Sequence, residues 1–188
     1  MVVVVGLGNP GTEYATTRHN VGFRVLDTLS GRWKRPFRGG KGEYLIAPGD
    51  IAGHEVALVK PLTYMNNSGE AVADVLERLE TAQASLLVVL DDFALPLGAL
   101  RLRPRGSDGG HNGLYSVIVS LGTEEIPRLR CGIGRSDQAS GRDMADFVLS
   151  PFEKNERETA DEMILRAADA VTECVIGGLA SAMNRFNS

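Results

Sequence analysis

Short apolar runs and longer amphipathic segments alternate along the chain. Runs rich in valine, isoleucine or leucine predict strands at 2–5, 86–90, 100–103 and 128–134. Apolar residues that recur every three to four positions predict helices over 18–30, after 68, after 112 and beyond 151. This alternation is typical of an α/β fold, so we expect a twisted, mostly parallel (mixed) sheet with helices on both faces.

Local signals refine this prediction. Residues 43–47 and 55–60 predict a hairpin whose turn is Pro48-Gly49-Asp50. Ser68 and Asn112 precede helical patterns and are expected to cap those helices with their side chains. The chain shows no internal repeat and no linker, and 188 residues suit one domain, so we expect residues 1–188 to form a single domain.

The composition indicates a cytoplasmic protein without a membrane partner. The longest apolar runs are strand-sized, and no basic segment with an apolar core marks an N-terminal signal. Cys131 and Cys174 are far apart and neither belongs to a CxxC pair, which predicts reduced cysteines rather than a disulfide or a zinc site.

Positive charge is clustered although the formal net charge is −4. Residues 32–42 contain five basic side chains and no acidic one, and residues 101–105 contain three arginines. Arg128, Arg130 and Arg135 form another group. Because a polyanion needs a local basic face rather than a basic protein, a non-catalytic RNA-binding module is one hypothesis.

The glycine-rich segment at 6–11, GLGNPG, suggests a different hypothesis. It matches GxGxxG directly after a strand, the pattern of dinucleotide-binding oxidoreductases. However, Pro10 removes one backbone amide, and the helical period begins only near Arg18 rather than within the motif. A tight active-site loop therefore fits better, and the oxidoreductase stays as the alternative.

A histidine and a carboxylate are the best candidates for chemistry. His19 lies between the glycine loop and a helix, and Asp91 and Asp92 end the strand at 86–90. One carboxylate against His19 would set its tautomer and favour its protonated form, so that the pair could draw a proton from water. The histidines lack metal-ligand spacing, and no serine or cysteine has a nucleophile context, so we expect no metal and a water nucleophile. His54, beside a turn, is expected to be structural.

Asparagines occupy three loops near these groups, at Asn9, Asn66 and Asn112. They could form turns and helix caps, or place amide groups around an ester carbonyl. The residues alone leave both interpretations open.

Several segments together resemble the bacterial-type peptidyl-tRNA hydrolases. The matching stretches are GLGNPGTEYATTRHNVGF at 6–23, KPLTYMNNSG at 60–69, VVLDDFALPLG at 88–98, GGHNGL at 109–114, RLRCGIGR at 128–135 and FVLSPF at 147–152. The resemblance implies hydrolysis of the ester between a peptide and the 3′ terminal ribose of tRNA. It also implies a monomer that binds the acceptor stem and 3′ end of peptidyl-tRNA, with no cofactor and no obligate protein partner.

The resemblance also implies residue roles. His19 would be the general base, Asp91 its support, and Asn9 the residue that recognises substrates with a blocked amino group. The implied substrate-binding residues are Tyr14, Tyr64, Asn66 and Asn112 around the ester and Arg103 and Arg130 at phosphates. Asp108 departs from the family's glycine-rich run and adds a negative charge near the expected path of the RNA.

Overall fold

In the computed structural model, which describes residues 1–134 and 141–187, seven strands form one sheet. Its strands are β1 (Val2–Gly6), β2 (Arg38–Gly39), β3 (Tyr44–Ile51), β4 (His54–Pro61), β5 (Leu86–Asp92), β6 (Leu100–Arg103) and β7 (Arg128–Gly132). They are ordered β2-β3-β4-β1-β5-β7-β6. The central strands β4, β1, β5 and β7 are parallel, whereas β2, β3 and β6 pair antiparallel to their neighbours. The predicted mixed α/β sheet is confirmed.

Helices cover both faces of this sheet. Within the described residues they are α1 (Val21–Trp33), α2 (Ser68–Arg78), α3 (Asn112–Leu121), α4 (Gly141–Val148), α5 (Arg157–Gly177) and α6 (Leu179–Phe186). The apolar patterns predicted α1, α2, α3 and α5 but not the short helices α4 and α6. No helix among the described residues is long and apolar enough to cross a membrane.

Strand alternation divides the buried residues between two apolar layers. Val4 and Val89 contribute to the layer of α1, α5 and α6, whereas Val3, Val5 and Val88 belong to the layer of α2 and α3. Successive side chains of a strand point to opposite faces, so continuous apolar runs are needed where both faces are covered.

Helix α1 begins unusually close to the sheet. A Cβ on Gly22 would lie 2.5 Å from the backbone oxygens of both Leu7 and Val89, so only glycine permits this approach. The approach places the turn that precedes α1, Arg18–Asn20, at the carboxyl ends of β1 and β5.

The hairpin is present, but the predicted position of its turn was wrong. Pro48-Gly49-Asp50 lies inside β3, and the chain reverses at Ala52 and Gly53, whose φ angles are 53° and 84°. Two positive φ angles match the twist of a tight hairpin. Proline is tolerated at position 48 because β2 pairs only with Leu45 and Ile46, which leaves β3 without an outer neighbour there.

Both predicted helix caps were also wrong. Ser68 is the first residue of α2, and its hydroxyl donates to the carbonyl of Met65 instead of accepting from the helix. Asn112 is the first residue of α3, which is capped by His111 through a bond from the Leu114 N–H to Nδ1. The loop before each helix, rather than the residue type, decided which side chain reaches the free amides.

The cysteines are both free, with Cys131 buried and Cys174 half-buried. Burial raises the pKa of the Cys131 thiol above its usual range, and burial with Glu173 raises the pKa of Cys174 to about 12. Neither thiol supplies a reactive thiolate near neutral pH.

Candidate active site

Polar side chains from distant parts of the chain meet at the carboxyl edge of the parallel strands. Asp91 lies near the end of β5, His19 in the turn before α1, and His111 immediately before α3. This edge is where α/β sheets commonly bind ligands. All three side chains are buried or nearly so.

His19 and Asp91 form the pair that the sequence predicted. Nδ1 of His19 lies 2.9 Å from Oδ1 and 3.0 Å from Oδ2 of Asp91, whose side chain is 1% exposed. The ionised carboxylate can only accept, so Nδ1 carries the proton and donates to it. Nε2 of His19 is then the unprotonated nitrogen, available to take a proton.

His111 is a third member that the sequence analysis missed. Its Nδ1 accepts the backbone N–H of Leu114, so the proton of the neutral ring lies on Nε2, which donates to Asp91 Oδ1 over 2.9 Å. The rings of His19 and His111 are 4.9 Å apart between centroids. The motif GGHNGL contained this histidine, but only its neighbour Asn112 was assigned a role there.

The charge state of Asp91 follows from its partners. Burial alone raises the pKa of this carboxyl, but the electrostatic attraction and hydrogen bonds of His19 and His111 outweigh burial and hold the pKa well below its usual range. Asp91 is therefore a carboxylate at neutral pH and a fixed acceptor for His19.

The same three residues could in principle hold a metal ion, since their donor atoms lie within 4.8 Å of one another. In this arrangement, however, Nδ1 of His19, Nε2 of His111 and Oδ1 of Asp91 already share hydrogen bonds. The geometry therefore favours proton transfer over metal binding.

The glycine loop is held beside His19 by asparagines. The backbone N–H of Asn9 donates to Asn20 Oδ1 and the Asn20 side chain donates back to the Asn9 carbonyl, each over 2.9 Å. Oδ1 of Asn9 accepts the N–H of Met65 over 2.8 Å, which fixes the orientation of its amide. Its Nδ2 has no hydrogen-bond partner among the described residues. The sequence analysis had not singled out Asn20.

No α-helix begins within the glycine loop; a short turn at Thr12–Tyr14 follows it, and α1 starts only at Val21. A helix N-terminus facing a pyrophosphate, which a dinucleotide site requires, is thus absent from this described segment. The oxidoreductase alternative is not supported.

Tyr14 and Tyr64 lie together near the glycine loop. Their rings are 6.4 Å apart between centroids and nearly perpendicular. Tyr64 is 55% exposed with a φ of 60°, a strained conformation for a bulky residue. Asn66 follows it in the next turn and is exposed, so the structure puts Asn66 near this rim but assigns it no contact.

A cavity of about 280 Å³ opens directly over the histidines. Its polar wall consists of His19, Asp91, His111 and Asn112. Its apolar wall comes from Phe93 and from α4, which contributes Met144, Ala145 and Val148. The site thus combines a proton acceptor with a partly enclosed, partly apolar space, which Asn112 also lines.

The predicted arginines lie on one face of β6 and β7. Arg101 pairs with Arg130 and Arg103 with Arg128 across the two strands, so all four point away from the layer that buries Leu102 and Leu129. Arg103 and Arg130 line a second cavity of about 190 Å³ together with Asp92 and Asp108.

These arginines differ in what they are free to bind. Arg103 is exposed and has no ion-pair partner among the described residues, whereas Arg130 donates to Asp92. Arg128 is buried and donates to the carbonyls of Ser107, Glu124 and Ile126, and burial with the nearby charge of Arg130 lowers its pKa. Arg135 lies outside the described residues.

Other predicted groups lie elsewhere. Asp108 accepts the N–H of Gly110 and so shapes the turn before His111. His54 is exposed at the start of β4. The basic segment 32–42 includes β2, which is at the opposite edge of the sheet from β6.

Comparison with known proteins places the chain. Residues 3–188 match the family model described as peptidyl-tRNA hydrolase. The chain belongs to this family. The peptidyl-tRNA hydrolase of Chloroflexus aggregans is 51% identical over 190 residues, covering 100% of this chain and 99% of the relative. The Geobacillus kaustophilus protein of the same name is 46% identical over 187 residues, covering 100% of both chains.

The fold agrees with a solved member of the peptidyl-tRNA hydrolase family. The crystal structure of peptidyl-tRNA hydrolase from Acinetobacter baumannii matches with a TM-score of 0.94 at 35% identity. The match covers 100% of this chain and 95% of that chain. The resemblance inferred from the sequence motifs is therefore confirmed at the level of family and fold.

Proposed function

We propose that this protein hydrolyses the ester that joins a peptide, or an N-blocked amino acid, to the 3′ terminal ribose of tRNA. The products are free tRNA and the peptide. The observation that carries the proposal is the buried His19–Asp91 pair, which opens onto a cavity in a chain of the peptidyl-tRNA hydrolase family.

In this mechanism His19 is the general base. Asp91 holds its Nδ1–H, so Nε2 can take a proton from a water molecule that attacks the ester carbonyl. Asp91 also stabilises the imidazolium that forms, which returns its proton to the ribose oxygen as the acyl C–O bond of the ester breaks. General-base catalysis of this kind contributes about 10²–10⁴ in rate. His111 donates to the same carboxylate and supports its orientation.

Side-chain amides are the proposed partners of the ester. Asn112 shares the cavity with His19, and Asn66 lies on the rim near Tyr64. A donor that meets the developing oxyanion is commonly worth about 3–4 kcal/mol. The unpaired Nδ2 of Asn9 is the proposed donor to the blocked amino end, and Tyr14 and Tyr64 would line that side.

Arg103 and Arg130 are the proposed contacts to tRNA phosphates. The planar fork of arginine can engage two phosphate oxygens at once. Arg103 is already free for this role, whereas Arg130 must loosen its bond to Asp92.

We further propose that residues 1–188 act as a single domain, as a cytoplasmic monomer without an obligate protein partner.

The deciding experiment compares N-acetyl-aminoacyl-tRNA with the unblocked aminoacyl-tRNA, with and without a chelator. We expect rapid release of tRNA from the blocked substrate alone, and no effect of the chelator. A His19→Ala variant that binds tRNA serves as the control. Binding without turnover by the unaltered protein would contradict the proposal and favour the RNA-binding module.

A further inference from the structure

The side chain of Arg18, next to His19, is buried between two aromatic rings. Arg18 is 3% exposed, and its guanidinium carbon lies 4.5 Å from the ring centroid of Phe147 and 4.8 Å from that of Phe152. Its Nε and Nη1 are buried without a hydrogen-bond partner among the described residues. The two ring faces therefore provide much of the favourable environment of this cation.

The remaining donor of Arg18 is used in an ion pair. Nη2 lies 2.9 Å from Oε2 of Glu156, which also accepts the backbone N–H of Glu153. Arg18 and Glu156 are 138 residues apart in sequence. The pair therefore ties the turn before α1 to the connection between α4 and α5.

Backbone contacts reinforce the same connection. The N–H of Arg18 donates to the carbonyl of Ser150 over 3.0 Å, and Thr17 forms an isolated antiparallel bridge with Pro151. Main chain and side chain of this turn are thus both attached to residues 147–156.

Helix α4 depends on such contacts. Its eight residues are too few for a helix that is stable by itself in water. Phe147 of α4 stacks on Arg18, while Met144 and Val148 of the same helix line the cavity over His19. The position of the apolar wall is therefore linked to the residue that precedes the base.

We infer that Arg18 is a positioning residue, which anchors α4 over the cavity and so shapes the space in which His19 acts. The effect on catalysis rests on the proposed function, whereas the anchoring of α4 does not. Loss of the anchor should let α4 separate from the site and admit bulk water, which weakens the electrostatic interactions within it.

The test uses Arg18→Met, which keeps the length and apolar stem but removes the cation. Arg185→Met is the matched control, because it removes an arginine–glutamate ion pair between α6 and α5 and makes the same change in charge. Hydrogen–deuterium exchange of residues 143–152 is measured by mass spectrometry, together with kcat and tRNA affinity.

For Arg18→Met we expect exchange in 143–152 to become about tenfold faster while β1 and β5 stay protected. The kcat on N-acetyl-aminoacyl-tRNA should fall about tenfold with an unchanged Kd for tRNA. Arg18→Lys, which keeps the charge near Glu156 but not the planar group, should recover part of both losses. Arg185→Met should match the unaltered protein.

Equal exchange in Arg18→Met and Arg185→Met would overturn the anchoring, and faster local exchange with normal kcat would overturn the positioning role. If Arg18→Met loses protection throughout the chain, Phe147→Leu replaces it, since leucine keeps the packing but not the ring face. Unchanged local exchange in Phe147→Leu would then refute the inference. If the unaltered protein does not hydrolyse the blocked substrate, the proposed function fails, but the exchange comparison still decides the anchoring.

Discussion

Asp91 and Asp92 are adjacent in β5, yet they belong to different environments. Asp91 is buried and accepts hydrogen bonds from two histidines, whereas Asp92 faces the other way and pairs with Arg130 on the arginine face. Strand alternation alone separates them. In the proposed function, this strand end would serve two tasks, proton transfer on the side of Asp91 and contact with the polyanion on the side of Asp92. Substitutions on the two sides should therefore affect kcat and KM separately.

The largest expected effect is on the Asp91 side. His19→Ala removes the base, so kcat should fall about 10²–10⁴-fold while tRNA affinity is largely retained, because the base contributes to the chemical step rather than to ground-state binding. Single-turnover hydrolysis and tRNA binding measure the two quantities. His54→Ala, at an exposed histidine far along the chain, is the control. Near-normal turnover of His19→Ala would remove His19 from the mechanism.

Asp91→Asn should lower kcat by less than His19→Ala does, because the base itself remains. The Nε2–H of His111 needs an acceptor, so the oxygen of the new amide should face His111. The NH₂ group of that amide then faces Nδ1 of His19 and disfavours the tautomer in which Nδ1 carries the proton. Loss of the negative charge beside the base should also move the acidic limb of the pH–rate profile to lower pH.

Asp92→Asn is the matched control for that experiment, because it removes the same charge one residue away on the other side of the strand. Its pH–rate limb should stay in place, and a shift as large as that of Asp91→Asn would contradict the division between the two sides.

The pKa of Asp91 is lowered in the folded protein, so its ionisation stabilises the fold above the usual aspartate range. That stability is lost only as the pH falls through the lowered pKa. Acid unfolding of Asp91→Asn should be less steep there.

His111→Asn tests how far the second histidine supports Asp91. Asparagine is a good helix cap but is too short to reach the carboxylate, so we expect kcat to fall about tenfold with little loss of stability. His111→Ala also loses the cap, so its free energy of unfolding should be lower by about 1 kcal/mol. Equal kcat in His111→Asn and the unaltered protein would show that His111 only caps α3.

The smallest effects are expected on the arginine face. Arg103→Ala should raise KM more than it lowers kcat, and should reduce the log–log salt slope by about 0.7–0.9 for the lost phosphate contact. Arg130→Ala should change the slope less, because Asp92 already neutralises part of its charge. Arg185→Ala, on α6 in the layer away from the arginine face, should leave the slope unchanged. If these variants lose the same activity on full-length substrate and on a substrate that carries only the 3′ end of tRNA, the arginines would serve the active site or the fold instead.

Much of this organisation was available from local patterns. Apolar periodicity predicted the central strands and α1, α2, α3 and α5, because burial on one or two faces leaves a repeat in the sequence. The motifs also placed His19 and Asp91 in one site, and the hydrogen bonds between them confirm that pairing. The roles of Asn9, Asn66, Asn112, Arg103 and Arg130 remain predictions.

What local patterns could not supply depended on distant contacts. The hairpin turn lies at Ala52 and Gly53 because β3 pairs with β4 through Pro48. This pairing cannot be read from either segment alone. The predicted helix caps were wrong because the path of the preceding loop decides which side chain reaches the free amides of the helix.

By itself the sequence determined the fold class, the family and the pair of residues proposed for proton transfer. Only the tertiary structure decided that His111 shares Asp91, that α4 covers the cavity, and that Arg18 holds it there. These contacts join residues 20 to 138 positions apart. The stability of these contacts depends on the burial of the side chains, the tautomers of the histidines and the orientation of the aromatic rings. No periodic pattern in the chain encodes these properties.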